Sequence, residues 1–373
     1  MNNRSCTAVA VVVLSSTFAW SRIAARRRLG KKHHAISASL VTVRCFSALA
    51  QLLPTSSAIR MGAFIGRVAH NLAPWRCTVL RENLRYTRAF RQRSDSDDAA
   101  GEAELERRAY EHLGRALMLT LQYPAKVEAS LALRTEDDHA AALRADCLHG
   151  GVVVTSAHHG LWELLPSVVS SLVPPPARAH ARIVYRPLHD RALDAWLRHR
   201  REVSAHVELV PDRGSLGKLK QCLARGGVVG LVCDQRPGAS VKGPRREGGR
   251  RSARRGAHPD DDDDEKGGHN MGDKDDDDDD ELQPRAPLTV ELLGQTCALS
   301  PGLCALHAST GAPVWFVALS LVGHERAMRL QLVRLAERGE NMPSSTLAAR
   351  YARAVSAAVV EAPEQYFWWH RRW

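Results

Sequence analysis

A histidine followed five positions later by a glutamate is the part of the sequence best suited to chemistry. His158 comes directly after the β-branched run GVVVTSA, and Glu163 lies in the next segment, HHGLWELL. An imidazole at the end of a strand can take a proton from a hydroxyl, and a carboxylate can fix the tautomer and stabilise the imidazolium. The sequence therefore predicts His158 as a general base and Glu163 as its orienting partner.

The neighbours of this pair bear on the prediction. In 373 residues with 17 His and 41 acids, about two such pairs are expected by chance, so the position after a strand gives this pair its weight. Gly160 allows close approach of a substrate, and Trp162 offers an apolar wall. His159 is an alternative base, because it lies four residues from Glu163 and shares a helical face with it if the helix begins early.

Short β-branched runs alternate with amphipathic segments from residue 150 onward. The predicted strands are Gly151–Ala157, Ala181–Arg186, Val207–Pro211, Val228–Asp234, Leu288–Gly294 and Pro313–Val322. Each segment between the strands either has apolar residues at helical spacing or is followed directly by a glycine. The sequence therefore predicts an α/β fold with a largely parallel sheet flanked by helices. Ligands of such sheets bind beyond the carboxyl ends of the strands, which indicates four positions: His158, Arg186, Pro211 and Asp234.

A highly charged stretch interrupts this alternation. Residues 241–286 contain 15 acids and 10 bases and almost no apolar side chains. Such a segment cannot bury enough surface to fold, so we expect a disordered insertion there. The resulting organisation is a targeting segment or membrane anchor at 1–59 and a main domain in two parts, 60–240 and 287–373.

The N-terminal part carries no acid before Glu82. Seventeen uncharged residues, Ser5–Ser21, precede the basic block RIAARRRLGKKHH and are at the lower limit of the length that spans a bilayer. Two interpretations stay open: an anchor with its basic side on the cytoplasmic or stromal face, or a targeting peptide. Residues 35–69 predict helices with broad apolar faces, which either lie in or on a membrane or form a buried pair.

The charge balance favours anionic partners. Removing the insertion from the totals of 52 bases and 41 acids leaves 42 and 26, a net charge of +16. Such a body favours nucleic acid, an anionic membrane surface, an acidic protein or a phosphorylated substrate. The aromatic residues are too dispersed for a nucleic-acid stacking platform, so no nucleic-acid partner is expected. The eight cysteines are scattered, so neither a metal site nor a disulfide framework is expected.

Several segments in a fixed order carry a family resemblance. The run GGVVVTSAHHGLWELL resembles the strand and His-x4-Glu motif of the bacterial lipid A biosynthesis lauroyl/myristoyl acyltransferase family. The other segments that follow the family's order are RENLRYTRAF (Arg81–Phe90), YEHLGRALM (Tyr110–Met118), IVYRPLHD (Ile183–Asp190), VGLVCDQRPG (Val229–Gly238), VELLGQTCALSPGLCALHASTGAPV (Val290–Val314) and PEQYFWWHRRW (Pro363–Trp373). The similarity runs from Arg60 to Trp373, excluding the insertion.

The resemblance implies a membrane-associated acyltransferase with a glycerolipid acyltransferase-like fold and N-terminal membrane-associated helices. It would move a fatty acyl chain from an acyl carrier protein or coenzyme A thioester to a hydroxyl of a phosphorylated lipid A precursor, with no other cofactor and no metal. Carried over by position, His158 is the general base, Glu163 its partner and Arg186 the ligand of a phosphate or oxyanion. Asp234 and Gln235 would line the site. The implied location is the cytoplasmic face of a bacterial inner membrane, or an organellar membrane if the N-terminus is a transit peptide.

The chemistry needs no covalent intermediate. A thioester is already activated, and the sequence holds no G-x-S-x-G elbow, so we expect direct attack by the acceptor hydroxyl without an acyl-enzyme. Arg191, Arg198, Arg200 and Arg201 are candidates for contact with the carrier protein or a phosphate; alternatively, they form a solvated helix face.

Three places depart from the family pattern: Leu161, Arg236 and the pair His189–Asp190. They leave the acceptor open, so another glycolipid of the phosphatidylinositol mannoside type, or a non-catalytic lipid-binding relative, is the alternative. The aromatic and basic run Trp368–Arg372 has two interpretations as well, a lid or membrane contact near the site or a packed terminal helix.

Overall fold

The computed structural model of the protein describes residues 38–72, 76–87, 99–122, 124–235, 287–322 and 327–373. The candidate span Ser5–Ser21 and the charged segment 241–286 lie outside these residues, so the expectations for them, and the domain boundaries that they define, stay predictions. All described residues belong to one compact unit.

The elements within the described residues follow the predicted alternation. The helices are α1 (Ala38–Leu52), α2 (Thr55–Leu72), α3 (Cys77–Tyr86), α4 (Ala99–Leu121), α5 (Pro124–Ser130), α6 (Asp137–His149), α7 (Leu165–Leu172), α8 (Pro175–Arg178), α9 (Arg191–Ala205), α10 (Leu216–Ala224), α11 (Gly302–Thr310) and α12 (Ser344–Glu361). The strands are β1 (Ala132–Arg134), β2 (Val152–Ser156), β3 (Arg182–Tyr185), β4 (Glu208–Pro211), β5 (Val228–Val232), β6 (Leu288–Leu292), β7 (Gln295–Leu299), β8 (Val314–Val322) and β9 (Ala327–Ala336). A short 3-10 helix, Pro363–Gln365, follows α12.

Seven strands form one mixed sheet in the order β1-β9-β8-β2-β5-β3-β4. Neighbouring strands run parallel except β8 and β9, which are antiparallel. The prediction of a largely parallel sheet flanked by helices is therefore confirmed. The antiparallel pair is formed by β8 and β9. The alternating sequence of β9, AMRLQLVRLA, was not among the predicted strands.

The strand predicted at Leu288–Gly294 forms, but outside this sheet. β6 pairs with β7 in a separate two-stranded antiparallel sheet. Leu293 and Gly294 both have positive φ, 54° and 71°, so the chain turns back within two residues and cannot cross to the main sheet. Leucine is an unusual residue for such a turn, which explains why the sequence pattern did not indicate β7.

The core lies on both faces of the sheet because successive side chains of a strand point to opposite faces. Val153, Val229 and Phe316 belong to one buried cluster, which includes α10, α11 and α12 side chains. Val154 and Val228 belong to another, which includes side chains of α6 and α7. The central strands β2 and β5 therefore have helices on both faces, and their carboxyl ends are the accessible part.

Helices α1 and α2 form in the region predicted to be helical. α2 lies against α4 through Gly62, Gly66 and Gly114, where an added Cβ would overlap the backbone of the facing helix. Both helices also leave large apolar side chains in contact with solvent: Val41, Leu49, Leu52, Met61, Phe64 and Leu72. None of the described helices combines the length and the apolar character needed to cross a bilayer.

Candidate active site

The pairing of β2 with β5 brings two of the predicted residues together. Ser156 at the end of β2 is in register with Val232 at the end of β5. His158 and Asp234 each come two residues later, so both leave the sheet at the same level on adjacent strands. Sequence reasoning placed each residue at a strand end, and the strand order makes them neighbours.

The imidazole of His158 lies between an acid and an amide. Its Nδ1 is 2.7 Å from Asp234 Oδ1, and its Nε2 is 3.2 Å from the side-chain amide nitrogen of Gln235. With Asp234 ionised, Nδ1 carries the proton and Nε2 has a free lone pair, which accepts the Gln235 N–H. The His158 side chain is 22% exposed, so Nε2 is open to a substrate hydroxyl that displaces the Gln235 amide.

Asp234 is buried and ionised. Its side chain has no exposed surface, and its Oδ2 accepts a hydrogen bond of 2.8 Å from Arg372 Nη2. Burial acts to raise the pKa of Asp234, but the charges of His158 and Arg372 and their hydrogen bonds outweigh it and hold that pKa well below its usual range. The carboxylate can therefore fix the His158 tautomer and stabilise an imidazolium.

The backbone around His158 is held by a distant segment of the chain. Phe367 N donates to His158 O at 2.8 Å, and Gly160 N donates to Gln365 O at 2.9 Å. Gly160 has φ of +62°, and an added Cβ would overlap the carbonyl oxygen of Leu319 on β8. The glycine expected to allow substrate approach is thus required by backbone packing against the neighbouring strand.

Glu163 occupies a different position from the one expected. Both of its carboxylate oxygens accept hydrogen bonds from Arg201 on α9, at 2.7 and 3.0 Å. Within the described part of the chain, Glu163 makes no hydrogen bond or ion pair with His158. The reason is local: α7 begins only at Leu165, and the residues before it form bridges and a turn rather than a helical turn, so Asp234 takes the expected place of Glu163.

His159, the alternative base, is buried. It is 1% exposed, its Nε2 lies 3.2 Å from Ala362 O, and burial lowers its pKa to about 4. Its neighbour His112 on α4 is also buried, with Nε2 3.3 Å from Gly160 O and a pKa lowered by burial to about 3. Both rings pack beneath the loop that presents His158, and neither reaches the open side of the site.

An apolar groove lies next to Trp162, whose ring packs against the His158 imidazole. The Trp162 ring lies 5.7 Å from the His158 ring, centroid to centroid, and forms part of the groove wall. The cavity volume within the groove is about 80 Å³. Its floor is formed by the β5 side chains facing α7, and its roof by α7; at the far end lie Val173, Arg178, Ala181 and Val207.

Ser170 is one of three polar residues that line this groove, together with Ser156 and Arg178. Its side chain is 8% exposed, lines the groove, and has no hydrogen-bond partner among the described residues. Gly230 on β5 lies on the floor, and an added Cβ there would be 3.0 Å from Ile183 Cγ1. The absence of a side chain at this position therefore contributes to the width of the groove.

The other predicted residues lie farther along the sheet edge. Arg186 follows β3, the strand next to β5, and its side chain is 56% exposed with Nε 3.2 Å from Asp212 Oδ2. Pro211 is the last residue of β4, the outermost strand on that side. Neither is in contact with His158 or Asp234 in the structure, so the tertiary arrangement separates them from the pair.

Three of the four arginines proposed for carrier or phosphate contact bind the protein itself. Arg200 donates to Thr120 O and Gln122 O at the end of α4. Arg201 holds Glu163, and Arg198 pairs with Glu202. Arg191 is exposed at the start of α9. These contacts indicate a mainly structural role for the first three.

The residues that sequence reasoning missed are in the final segment. Arg372, Trp368 and Trp369 are at most 2% exposed, and Phe367 lies beside the His158 and Trp162 rings. The run is therefore neither a lid nor a helix but part of the buried wall of the site. The aromatic and basic composition was the available signal, but no periodicity in it indicates where the side chains point.

The fold and the site together define a class of enzyme. A histidine paired with a buried carboxylate at the carboxyl edge of an α/β sheet, next to an apolar groove, is suited to activating a hydroxyl close to an apolar substrate. Residues 28–242 match the family model described as bacterial lipid A biosynthesis acyltransferase. The chain belongs to this family and is an acyltransferase. No curated protein matches the sequence.

Proposed function

We propose that the protein transfers a fatty acyl chain from an acyl carrier protein thioester to a hydroxyl of a lipid A precursor, with His158 as the general base. The observation that carries the proposal is the His158 imidazole, which is partly exposed, is backed by ionised Asp234 and packs against Trp162, a side chain that lines the apolar groove. Asp234 takes the orienting role that the sequence assigned to Glu163.

The proposed reaction is a direct displacement. His158 Nε2 takes the proton of the acceptor hydroxyl while the hydroxyl oxygen attacks the thioester carbonyl carbon. The tetrahedral intermediate collapses as the carbon–sulfur bond breaks, and the departing thiolate takes the proton from the imidazolium. Asp234 stabilises the imidazolium between these two proton transfers. No covalent acyl-enzyme is needed, because the thioester is already activated.

The groove is the proposed site of the fatty acyl chain. Most of its lining side chains are apolar, and one of them, Trp162, packs against the His158 ring, so a chain bound there would present its carbonyl carbon near Nε2. Arg186, which is exposed one strand beyond Asp234, is proposed to contact a phosphate of the acceptor. The net charge of +16 outside the insertion would favour both the acidic carrier protein and the phosphorylated acceptor.

Membrane association is proposed through the exposed face of α1 and α2, which we call the α1–α2 face and define as Val41, Leu49, Leu52, Met61, Phe64 and Leu72. The two helices contain Arg44, Arg60 and Arg67 and no acid. Apolar side chains beside arginines are typical of a helix that lies at an anionic membrane surface. The proposed location is the cytoplasmic face of an inner membrane, or an organellar membrane.

The test is acyl transfer from labelled acyl carrier protein to a tetra-acylated lipid A precursor, with the full chain and its His158→Ala variant in membranes. General-base catalysis contributes about 10²- to 10⁴-fold, so the variant should be slower by at least about a hundredfold. Transfer that survives the substitution would remove His158 from the mechanism. Transfer to a phosphatidylinositol mannoside but not to the lipid A precursor would reassign the acceptor, and no transfer to either would overturn the proposal.

A further inference from the structure

We propose that Arg372 is a positioning residue of the acyl-transfer site, whose guanidinium holds the Asp234 carboxylate in the place and charge state in which it orients His158. The inference rests on the proposed function. Arg372 lies 138 positions from Asp234 in the sequence and 130 positions beyond the part of the chain that matches the family model.

The guanidinium of Arg372 binds three acceptors at once. Nη2 donates to Asp234 Oδ2 at 2.8 Å, Nε donates to Asp234 O at 3.0 Å, and Nη1 donates to Phe367 O at 2.8 Å. Its carbon Cζ also lies 4.2 Å from the centroid of the Tyr366 ring. The planar fork therefore fixes both the backbone and the side chain of Asp234, which a single ammonium group cannot do.

The two oxygens of the carboxylate have separate partners. Oδ1 faces His158 Nδ1 at 2.7 Å, and Oδ2 faces Arg372. Arg372 thus leaves the oxygen that orients His158 free for that contact, while its hydrogen bond to Oδ2 prevents rotation of the carboxylate. Since a misplacement of about 1 Å can cost a hundredfold in rate, this restraint bears directly on catalysis.

The charge of Arg372 is as important as its geometry. The side chains of Asp234 and Arg372 are 0% and 1% exposed. A buried carboxylate without a cation would take up a proton and become a poor partner for an imidazolium. The other titratable groups around Asp234 are uncharged, because burial favours the neutral form of each: Tyr351, Tyr366, His370, His159, Cys233 and Cys297.

The segment that carries Arg372 is itself anchored at the site. Buried Asn83 on α3 donates to Trp368 O and His370 O, and Phe367 N donates to His158 O. The same segment therefore holds the backbone of the base and the side chain of its partner acid. This arrangement sets the distance between His158 and Asp234 independently of the substrate.

The test is a double-mutant cycle with acyl transfer by the full chain as the readout. Arg372→Gln alone should lower kcat by at least about tenfold with little change in KM, because it acts through the base and not through substrate binding. In the Asp234→Asn background the same substitution should cause no further loss, because its target is already neutral. An equal loss in both backgrounds would overturn the proposal.

The pH profile separates positioning from simple structural support. In Arg372→Gln, the buried Asp234 carboxyl loses the cation that keeps it ionised and no longer stabilises protonated His158, so the acid limb of the kcat profile should move to lower pH. Arg372→Lys keeps the charge but loses the fork, so it should keep the position of the acid limb and lower kcat. An unchanged profile in Arg372→Gln would contradict the proposed role.

Controls keep the outcomes distinguishable. Arg371→Gln removes the same charge from the exposed neighbouring position and should leave the rate and the profile unchanged. Thermal unfolding of Arg372→Lys shows whether that substitution impairs folding. In the Asp234→Asn background, Arg372→Gln leaves no buried carboxylate without a cation, so the comparison measures the interaction between residues 234 and 372 alone. Full activity in His158→Ala would remove the proposed function itself, whereas an inactive His158→Ala with fully active Arg372 variants would remove only this inference.

Discussion

At the scale of single residues, the site depends on which histidine is accessible and which are buried. His158 is partly exposed beside an ionised carboxylate, whereas His112 and His159 are buried next to backbone carbonyls, and burial lowers their pKa values to about 3 and about 4. A histidine that stays neutral in the folded state and is protonated in the unfolded state makes stability depend on pH.

We predict that the protein loses stability between pH 7 and pH 5. The stability that the neutral forms of His112 and His159 contribute is fully present above the unfolded pKa of about 6.5 and is lost as the pH falls towards the folded values. Each histidine should account for up to about 2 kcal/mol of the loss by pH 5, measured by urea unfolding at both pH values.

Substitution assigns the effect to a particular histidine. His112→Gln should remove about a third of the fall in the free energy of unfolding between pH 7 and pH 5, because burial also lowers the pKa of His370 to about 3. His149→Gln, at an exposed position on α6, should leave the fall unchanged. Equal stability of the unsubstituted protein at pH 7 and pH 5 would refute this assignment.

At the scale of elements, the groove between α7 and β5 sets how long an acyl chain the site accepts. The floor from Val228 to Val232 spans four residue steps of about 3.3 Å each, or about 13 Å. An extended chain advances by about 1.3 Å per carbon, given bonds of about 1.5 Å, so about ten carbons fit before the far end. We therefore predict a preference for acyl chains of about 10 to 12 carbons over chains of 16.

Filling the groove should shift the preference to shorter acyl chains. Ser170→Leu adds apolar volume at a buried, groove-lining position, so it should lower kcat/KM for the preferred chain and move the optimum to a chain shorter by about two carbons. The readout is kcat/KM across a series of acyl carrier protein thioesters. Ser171→Leu is the matched control, because Ser171 is exposed on the same helix. An identical length profile in the two variants would show that the chain binds elsewhere.

The close contact between α2 and α4 leads to a second prediction at this scale. An added Cβ at Gly114 would overlap Gly62 O, so Gly114→Ala should push the helices apart and destabilise the protein by about 1 to 3 kcal/mol. Gly217→Ala on α10 is the control, since nothing lies within 4 Å of its added Cβ, and it should be neutral or slightly stabilising. Denaturant unfolding of both variants measures the difference, and similar stabilities would contradict the close contact.

At the scale of the whole molecule, the α1–α2 face is the proposed contact with the membrane. Leu52 and Phe64 are 80% and 64% exposed. Burial of one such side chain in an apolar phase contributes about 1.5 to 3 kcal/mol, so Leu52→Ser combined with Phe64→Ser should weaken binding to anionic phospholipid vesicles by at least about a hundredfold.

A variant on another surface controls for general loss of hydrophobicity. Leu148 on α6 is 67% exposed and lies outside the α1–α2 face, so Leu148→Ser should bind vesicles as tightly as the unsubstituted protein. Co-sedimentation with the vesicles measures both variants. Equal binding by the two variants would contradict the proposed membrane contact of the α1–α2 face.

The sequence alone predicted six of the nine described strands and a candidate base. The β-branched runs predicted β2, β3, β4, β5, β6 and β8, and the strand-end position indicated His158 as the candidate base, because these features depend on neighbours in the chain. It also identified Asp234 as a residue at a strand end, although not as the partner of His158.

Only the tertiary structure decided what completes the site. The pairing of β2 with β5 places Asp234 within hydrogen-bond distance of His158. Because α7 begins late, Glu163 forms its hydrogen bonds with Arg201 instead. The final segment of the chain brings Arg372 into the interior, where it binds Asp234. These contacts join residues 38 to 138 positions apart. Strand order and burial of a charged pair are properties of the packed chain, and no local periodicity in the sequence encodes them.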